Sequence, residues 1–477
     1  MNIVEEIWRR ANPSAPALMF AGHTLSYGAL RTLTEAASAA LGDLTNQRVG
    51  FDFPNGFPHI VWSLAVLRAG GVLIPIAPEL SARERMELRT TTGLHLTVCA
   101  EGKTTLPAGE AARRLEIQGL GSALVFSHAE SDAALPYSGS ALHALNPALV
   151  RFSSGTTGRR KGVVLSHETL LARVTASNSH LQIGPADRVI WMLPMAHHFA
   201  VSIVLYLLHG ATTVLENSHL GADVFKTLAD SAGTVLYAAP FHYALLASCP
   251  AAHPVSSLRL AVSTAAALPE TVSQPFQQRF GLPLRQALGV IECGLPIFND
   301  HWSYKSDSIG RPQAGYEFSL REMGPAPADQ GSPGELYLKG PGFVDAYLAP
   351  WTPRTQILQE GWFRTGDLAR VDADDALFLV GRTHSVINVG GMKCFPEEVE
   401  ACLSEHPAVR EARVAGLPHP TFGAVPVAEF VPADPNHVPK ASELMAHCRT
   451  RLSRYKIPLQ YTAVTALPKT PSGKIQR

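Results

Sequence analysis

The run Ser153-Ser154-Gly155-Thr156-Thr157-Gly158-Arg159-Arg160-Lys161-Gly162 crowds hydroxyls, glycines and a lysine into one short stretch. Glycines let backbone N–H groups turn toward an anion, hydroxyls donate to its oxygens, and Lys161 adds positive charge. Such a loop is a phosphate cradle. The P-loop of kinases and ATPases needs Gly-Lys followed by Ser or Thr, whereas Lys161 stands between Arg160 and Gly162. The pattern points to a nucleotide handled in some other way.

Other residues could take part. Glu292, just beyond Gly289 at the end of an expected strand, could hold Mg²⁺ against nucleotide phosphates or be a plain surface glutamate. Gly361-Trp362-Phe363-Arg364-Thr365-Gly366-Asp367-Leu368 reads as a tight turn carrying an acid. Asp367 could accept two hydrogen bonds from a ribose diol, or serve only an Asx-type turn. His197 and His198 have no partner ligands at metal-binding spacing, which leaves a substrate-pocket wall or a hydrogen-bonded core histidine. The closing segment, Pro468 to Arg477, is a mobile basic tail by composition and contains Lys474.

These residues need a scaffold. Ala148 to Phe152, just ahead of the loop, is a strand. Leu258 to Ser263, Pro269 to Phe280 and Leu282 to Leu288 predict strand, helix, strand, hence a parallel pair with a right-handed crossover. Ligands bind beyond the carboxyl ends of such strands. The loops Ser263-Thr264-Ala265-Ala266-Ala267 and Gly289-Val290-Ile291-Glu292 fall there, the first either leaving room for a ligand or allowing close helix packing. Past about residue 380 the pattern becomes helix from Phe395 to Ser404, strands Val409 to Ala415 and Ala424 to Val431, helix Ala441 to Ser453 and strand Gln460 to Val464. That is a compact α+β unit, with its junction near Gly381-Arg382-Thr383-His384.

Composition removes several classes. Lys plus Arg and Asp plus Glu are equal at 40 each, so no global field draws the 477-residue chain to nucleic acid or anionic membrane. The amino terminus carries early acids instead of a signal-peptide core. Six cysteines without paired spacing indicate neither disulfides nor zinc, and a cytoplasmic location follows. Phe199 to Leu215 falls short of the roughly 20 apolar residues of a membrane span, and is expected to be a buried helix and a core strand broken near His209-Gly210.

The hydroxyl-glycine loop, the Gly289-x-x-Glu292 turn, Phe363 to Leu368, Gly381-Arg382 and Pro471-Ser472-Gly473-Lys474 occur in one order. In this the chain resembles the adenylate-forming superfamily of acyl-CoA synthetases, peptide-synthetase adenylation domains and firefly luciferase. The resemblance runs from Leu25-Ser26-Tyr27 and the Gly70 to Pro75 stretch to Lys474. It implies a large multi-sheet α/β amino-terminal AMP-binding domain, residues 1–382, and a small mobile α+β carboxyl-terminal domain, residues 383–477, carrying the catalytic lysine. It also implies two half-reactions. A carboxylate attacks the α-phosphate of ATP to give acyl-AMP and pyrophosphate, and a thiol of CoA or of a carrier-protein phosphopantetheine then takes the acyl group.

Residue roles follow from the resemblance. Ser153, Ser154, Gly155, Thr156, Thr157, Gly158 and Lys161 would cradle the β- and γ-phosphates, and Glu292 would help bind Mg²⁺. Gly289, Asp367 and Arg382 would complete the nucleotide site. Lys474 would bridge the carboxylate and α-phosphate, stabilising charge in the adenylation transition state. His197 or His198, with Ala265 and Ala266, would line the acid pocket, the register leaving both histidines open. Gly390 and Gly391 would form the thiol-acceptor loop, and His384 stands at the hinge.

Departures from the family pattern are Leu288 for the aromatic that would face adenine, Ile291 for a threonine, His384 for aspartate or lysine, Asn388 for a lysine and Arg160 for a proline. They imply weaker or differently tuned nucleotide binding. Adenylation domains for α-amino acids carry an aspartate in the segment matching Ala196 to Ala200, which here holds no acid. An ammonium in an apolar pocket without a counter-charge is costly, so a hydrophobic aryl or aliphatic acid is expected. The alternatives are an adenylase that loads an amino or aryl acid onto a separate carrier protein in secondary metabolism, and a catalytically weakened nucleotide-binding homologue.

Overall fold

The computed structural model describes the chain except residues 79, 81, 103–111, 129–134, 153–160, 251–255, 265–267, 301–303, 306, 322–332, 390–391, 420–421, 453, 470–474 and 477. Two compact units emerge: Met1–Glu317 with Leu338–Phe363, and Phe318–Tyr337 with Arg364–Arg477.

The first unit is built on two nine-stranded sheets. One contains the expected parallel pair, Leu260–Ser263 beside Leu284–Val290, with Ala261 opposite Leu284. The helix Glu270–Phe280 crosses between them, with Pro269 as its N-cap. The other sheet places Pro147–Phe152 between Val72–Pro75, parallel, and Gly162–Ser166, antiparallel. Val72, Leu73 and Ile74 are buried, as a strand covered on both faces requires.

The apolar segment is interior, as its composition suggested. A short helix, Met195–His198, widens into a π-helical turn over Phe199–Ile203 and resumes as Val204–Leu208. It ends at His209-Gly210, where Gly210 takes a positive φ of 76°. The chain re-enters the sheet at Thr212–Leu215. Ile203, Val204, Leu207 and Ala211 are fully buried. Among the described residues no helix is long and apolar enough to cross a membrane. The π turn is not signalled by the apolar pattern, since a run buried on every side has no phase to read.

In the second unit the hairpin Phe363–Val371 and Leu377–Arg382 is followed by a five-stranded sheet that includes Val409–His419 and Gly423–Pro432. Helices Pro396–Ser404 and Ala441–Arg449 pack on it through Val399, Leu403 and Leu444, against Val414 and Phe430. Two local expectations change. The helix after Ala441 stops at Arg449, short of Ser453. Asp367 lies within a strand, directly opposite Arg382, and not in a tight turn. The turn is earlier, between Gln359 and Trp362, with Glu360 and Gly361 at positive φ.

Candidate active site

Glu292 emerges from the end of the strand Leu284–Val290. Its backbone is pinned twice: its carbonyl accepts from the Val344 N–H at 2.7 Å and from Arg173 Nη2 at 3.2 Å. Its carboxylate Oε1 accepts from the Tyr347 hydroxyl at 3.2 Å. Burial, reinforced by that carboxylate, raises the Tyr347 pKa well above its ordinary value, so the phenol stays a neutral donor. The ammonium of Lys161 lies 4.7 Å from the centre of the Tyr347 ring, a cation–π distance. Tyr347 therefore stands between the two sequence-nominated charges. It is held there by the strand Ala346–Tyr347, paired with Gly162–Ser166, Tyr347 opposite Val163. Gly162 permits that pairing: a Cβ there would come within 3.0 Å of Phe152 and 3.1 Å of Leu348.

Arg173 is the scaffold beneath Glu292. It belongs to the buried stripe Leu170, Arg173, Val174, Ser177, Leu181 of the helix His167–Leu181, and is 1% exposed. Its guanidinium donates to the Gly342 carbonyl at 2.7 Å and 2.9 Å and to the Ile291 carbonyl at 2.9 Å, besides the contact to Glu292. Burial lowers its pKa, while the neighbouring Tyr316, Cys293, Asp345 and Glu292 support the charge.

Beside Glu292, at Ile291, lies a narrow cleft that is open to solvent and encloses room for about one water molecule. Pro75, Leu149, Phe199, Ala200, Val201 and Ile291 form apolar walls, and Ala196, His197 and Arg151 complete the lining. His197 lines the cleft, whereas His198 meets the Trp191 ring at 5.6 Å in an edge-on contact. Gly289 is exposed, and a Cβ there would make only ordinary contact at 3.8 Å with Thr264, so packing among the described residues does not demand a glycine. Leu288 is half-buried on the same strand and can cover a ring without stacking on it.

In the second unit the Asp367 carboxylate pairs with Arg382 Nε at 2.9 Å. Asp367 is 6% exposed, and Gly366, at φ 74°, bends the strand just before it. The Thr365 hydroxyl accepts from the Asp367 N–H at 3.0 Å and donates to the Leu336 carbonyl at 2.8 Å, fixing the approach. Ser153, Ser154, Gly155, Thr156, Thr157, Gly158, Ala265, Ala266, Gly390, Gly391 and Lys474 lie outside the described residues, as does the side chain of His384. Sequence reasoning passed over Tyr347, Arg173 and Arg151. For the two arginines a signal existed: each occupies an apolar position of a periodic pattern, Arg151 alternating with Leu149 and Arg173 following Leu170.

The AMP-binding enzyme family matches residues 5–348, and the AMP-binding enzyme C-terminal domain matches residues 398–474. The chain belongs to the AMP-binding enzyme family. It is an adenylate-forming enzyme, a ligase of the acyl-adenylate type. It is similar to a sulfoacetate–CoA ligase of Cupriavidus necator, 32% identical with 98% of this chain and 94% of the relative covered. A feruloyl-CoA synthase of an Amycolatopsis species is 29% identical, covering 98% and 95%. Among solved structures, an amide bond synthetase from Marinactinospora thermotolerans superposes with a TM-score of 0.83 at 24% identity, covering 99% of this chain and 97% of that one. That likeness establishes the fold, a large multi-sheet α/β domain followed by a smaller carboxyl-terminal one.

The family's use of ATP implies Mg²⁺. Among the described residues no group of three or more His, Cys, Asp or Glu could hold a metal ion alone. Mg²⁺ in nucleotide sites takes one or two carboxylates plus phosphate oxygens and water, so Glu292 as a single protein ligand fits it.

Proposed function

We propose that this enzyme activates a carboxylic acid with an apolar aryl or aliphatic body as its acyl-AMP, and passes the acyl group to the thiol of CoA or of a carrier-protein phosphopantetheine. The observation that carries this reading is the adjacency of two chemistries. A cation over the ring face and a carboxylate at the hydroxyl of one phenol, Lys161 and Glu292 about Tyr347, adjoin an apolar cleft bordered by His197. A polyanionic nucleotide needs the first and an acid's body needs the second. The segment Ala196 to Ala200 brings no acid to the cleft, in keeping with a substrate that lacks an ammonium.

In this reading Lys161 and the loop Ser153 to Gly158 hold the β- and γ-phosphates, and Glu292 holds Mg²⁺, which would offset phosphate charge when bound. Tyr347 orients the Glu292 carboxylate, and Arg173 fixes the backbone that carries it. Asp367, steadied by Arg382, takes the ribose hydroxyls, with Gly289 leaving room at the nucleotide. His197 forms the wall between acid and thiol sites, joined by Ala265 and Ala266. Lys474 stabilises charge at the α-phosphate, Gly390 and Gly391 admit the pantetheine arm, and residues 383–477 move about His384 between the half-reactions. The partners are a small acid and a thiol carrier. The six free thiols suit a reducing cytoplasm.

The test is exchange of labelled pyrophosphate into ATP across aryl, short-chain and medium-chain acids. Exchange should depend on the acid, and Lys474→Ala should cut it by about 10²–10³-fold, as loss of a transition-state charge stabiliser does. Exchange that ignores the acid, or that survives Lys474→Ala intact, would overturn the reading. Mass spectrometry of the acyl product with CoA and with holo-carrier protein identifies the acceptor.

A further inference from the structure

A cation sits in the acid cleft with nothing in the described residues to neutralise it at contact. Arg151 belongs to the strand Pro147–Phe152, opposite Val163. Side chains alternate along a strand, so Arg151 shares the face of Leu149, and both line the cleft. Val150 and Phe152 turn the other way, into the apolar cluster with Ile74 and Val164. Arg151 thus occupies a core-facing position where the pattern would place another leucine or valine.

Its surroundings are those of a waiting ligand site. The Nε is fully buried and has no hydrogen-bond partner among the described residues. The contrast is Arg173, whose fork is filled by three backbone carbonyls. Burial pulls the Arg151 pKa down to about 10, opposed by the field of Glu292 and assisted by that of Arg173, so it stays charged at neutral pH. Arg151 is half-buried, its enclosed Nε lacks a partner among the described residues, and a planar fork is matched by a two-oxygen anion.

The anion it would hold is distinct from the carboxylate that reacts. A bidentate clamp engages the in-plane lone pairs of both carboxylate oxygens, which would blunt the nucleophile that must attack the α-phosphate. A second, spectator anion suffers no such conflict. Resting on the acid-activating function above, we propose that Arg151 is a specificity-determining residue that binds a second anionic group of the acid substrate, a carboxylate or sulfonate borne on a short apolar body. The cleft, apolar except for Arg151 and His197, then reads one charge at one place.

The experiment compares matched acids, succinate against butyrate and sulfoacetate against propionate, in pyrophosphate exchange by the full chain, Arg151→Met and Arg151→Lys. The parent should prefer each doubly anionic acid. Arg151→Met should lower kcat/KM for these by about 10- to 100-fold through KM, the loss of a charged hydrogen-bonding partner, and leave the singly anionic acids within about 3-fold. Arg151→Lys, which keeps the charge but not the fork, should retain part of the preference and guards against a folding defect in the methionine variant. A parent that prefers the singly anionic acids overturns the inference. So does an equal loss across all four acids, which would assign Arg151 to the reacting carboxylate or to packing. A rise confined to KM for ATP overturns it in favour of a phosphate contact. Exchange with none of these acids, while an aryl or longer monocarboxylate works, defeats the inference and leaves the acid-activating function standing; exchange with no acid at all removes both.

Discussion

Replacing Tyr347 by Phe isolates one hydroxyl. The ring remains, so the face presented to Lys161 at 4.7 Å and the packing of the strand are retained. What disappears is the 3.2 Å bond to Glu292 Oε1. A hydrogen bond to a charged group contributes about 1.5–3 kcal/mol, and partners that orient a metal-binding carboxylate change metal affinity about 10- to 100-fold when removed. The two scales agree, since a factor of ten is about 1.4 kcal/mol. With Glu292 free to swing, the Mg²⁺ concentration for half-maximal pyrophosphate exchange at saturating ATP should rise by about 10- to 100-fold. The maximal rate at high Mg²⁺ should recover most of the parent value. An unchanged Mg²⁺ dependence with a depressed maximal rate would refute the reasoning, because the hydroxyl would then act on the reaction and not on the carboxylate.

Two further predictions concern stability. Arg173→Met leaves the carbonyls of Gly342 and Ile291 without this donor and that of Glu292 with the Val344 N–H alone, and breaking a buried charged network of this kind should lower stability by about 3–5 kcal/mol. A urea-derived unfolding free energy within about 0.5 kcal/mol of the parent would show that the fork is dispensable. Glu400, on the helix Pro396–Ser404, accepts from the Val414 N–H at 2.8 Å, yet burial pushes its pKa from an ordinary 4.5 up to about 7. The folded chain therefore binds more protons than the unfolded one between those values, and stability falls as pH rises through that window. Glu400→Gln should flatten the profile and be more stable than the parent above pH 7, by at most about 3 kcal/mol. A parent whose stability rises from pH 5 to 7 while the variant tracks it would refute that sign.

Much of the fold is legible because it rests on local periodicity. The strand, helix and strand around Glu270–Phe280 and the elements of the second unit lie within a few residues of where alternation, helical spacing and proline position put them. Candidate site residues stand out in the sequence only where local composition is unusual, as in the glycine and hydroxyl run, which lies outside the described residues. Tyr347 meets Glu292 across 55 residues of chain, and Arg173 meets it across 119, distances no spacing rule spans. His197 and His198 differ by about 100° around a helix, which sequence separates only if the buried face is known. Asp367 illustrates the opposite error: a glycine-rich run suggested a turn, while Gly366 bends a strand that continues to Val371.

The wide turn at Phe199–Ile203 gives the cleft a length adjuster. A π turn is an α-helix that has absorbed one extra residue without disturbing the phase on either side. Removing a single residue from this stretch should heal the helix, keep His197 at the cleft and change only how deep the wall of Phe199, Ala200 and Val201 reaches. Removing one from Val204–Leu208 instead would turn everything upstream by about 100° and carry His197 off the cleft. In the proposed function, the acid's size is thus set at a hydrophobic wall that insertion or deletion can shift while the charged residues on the neighbouring sheets stay where they are.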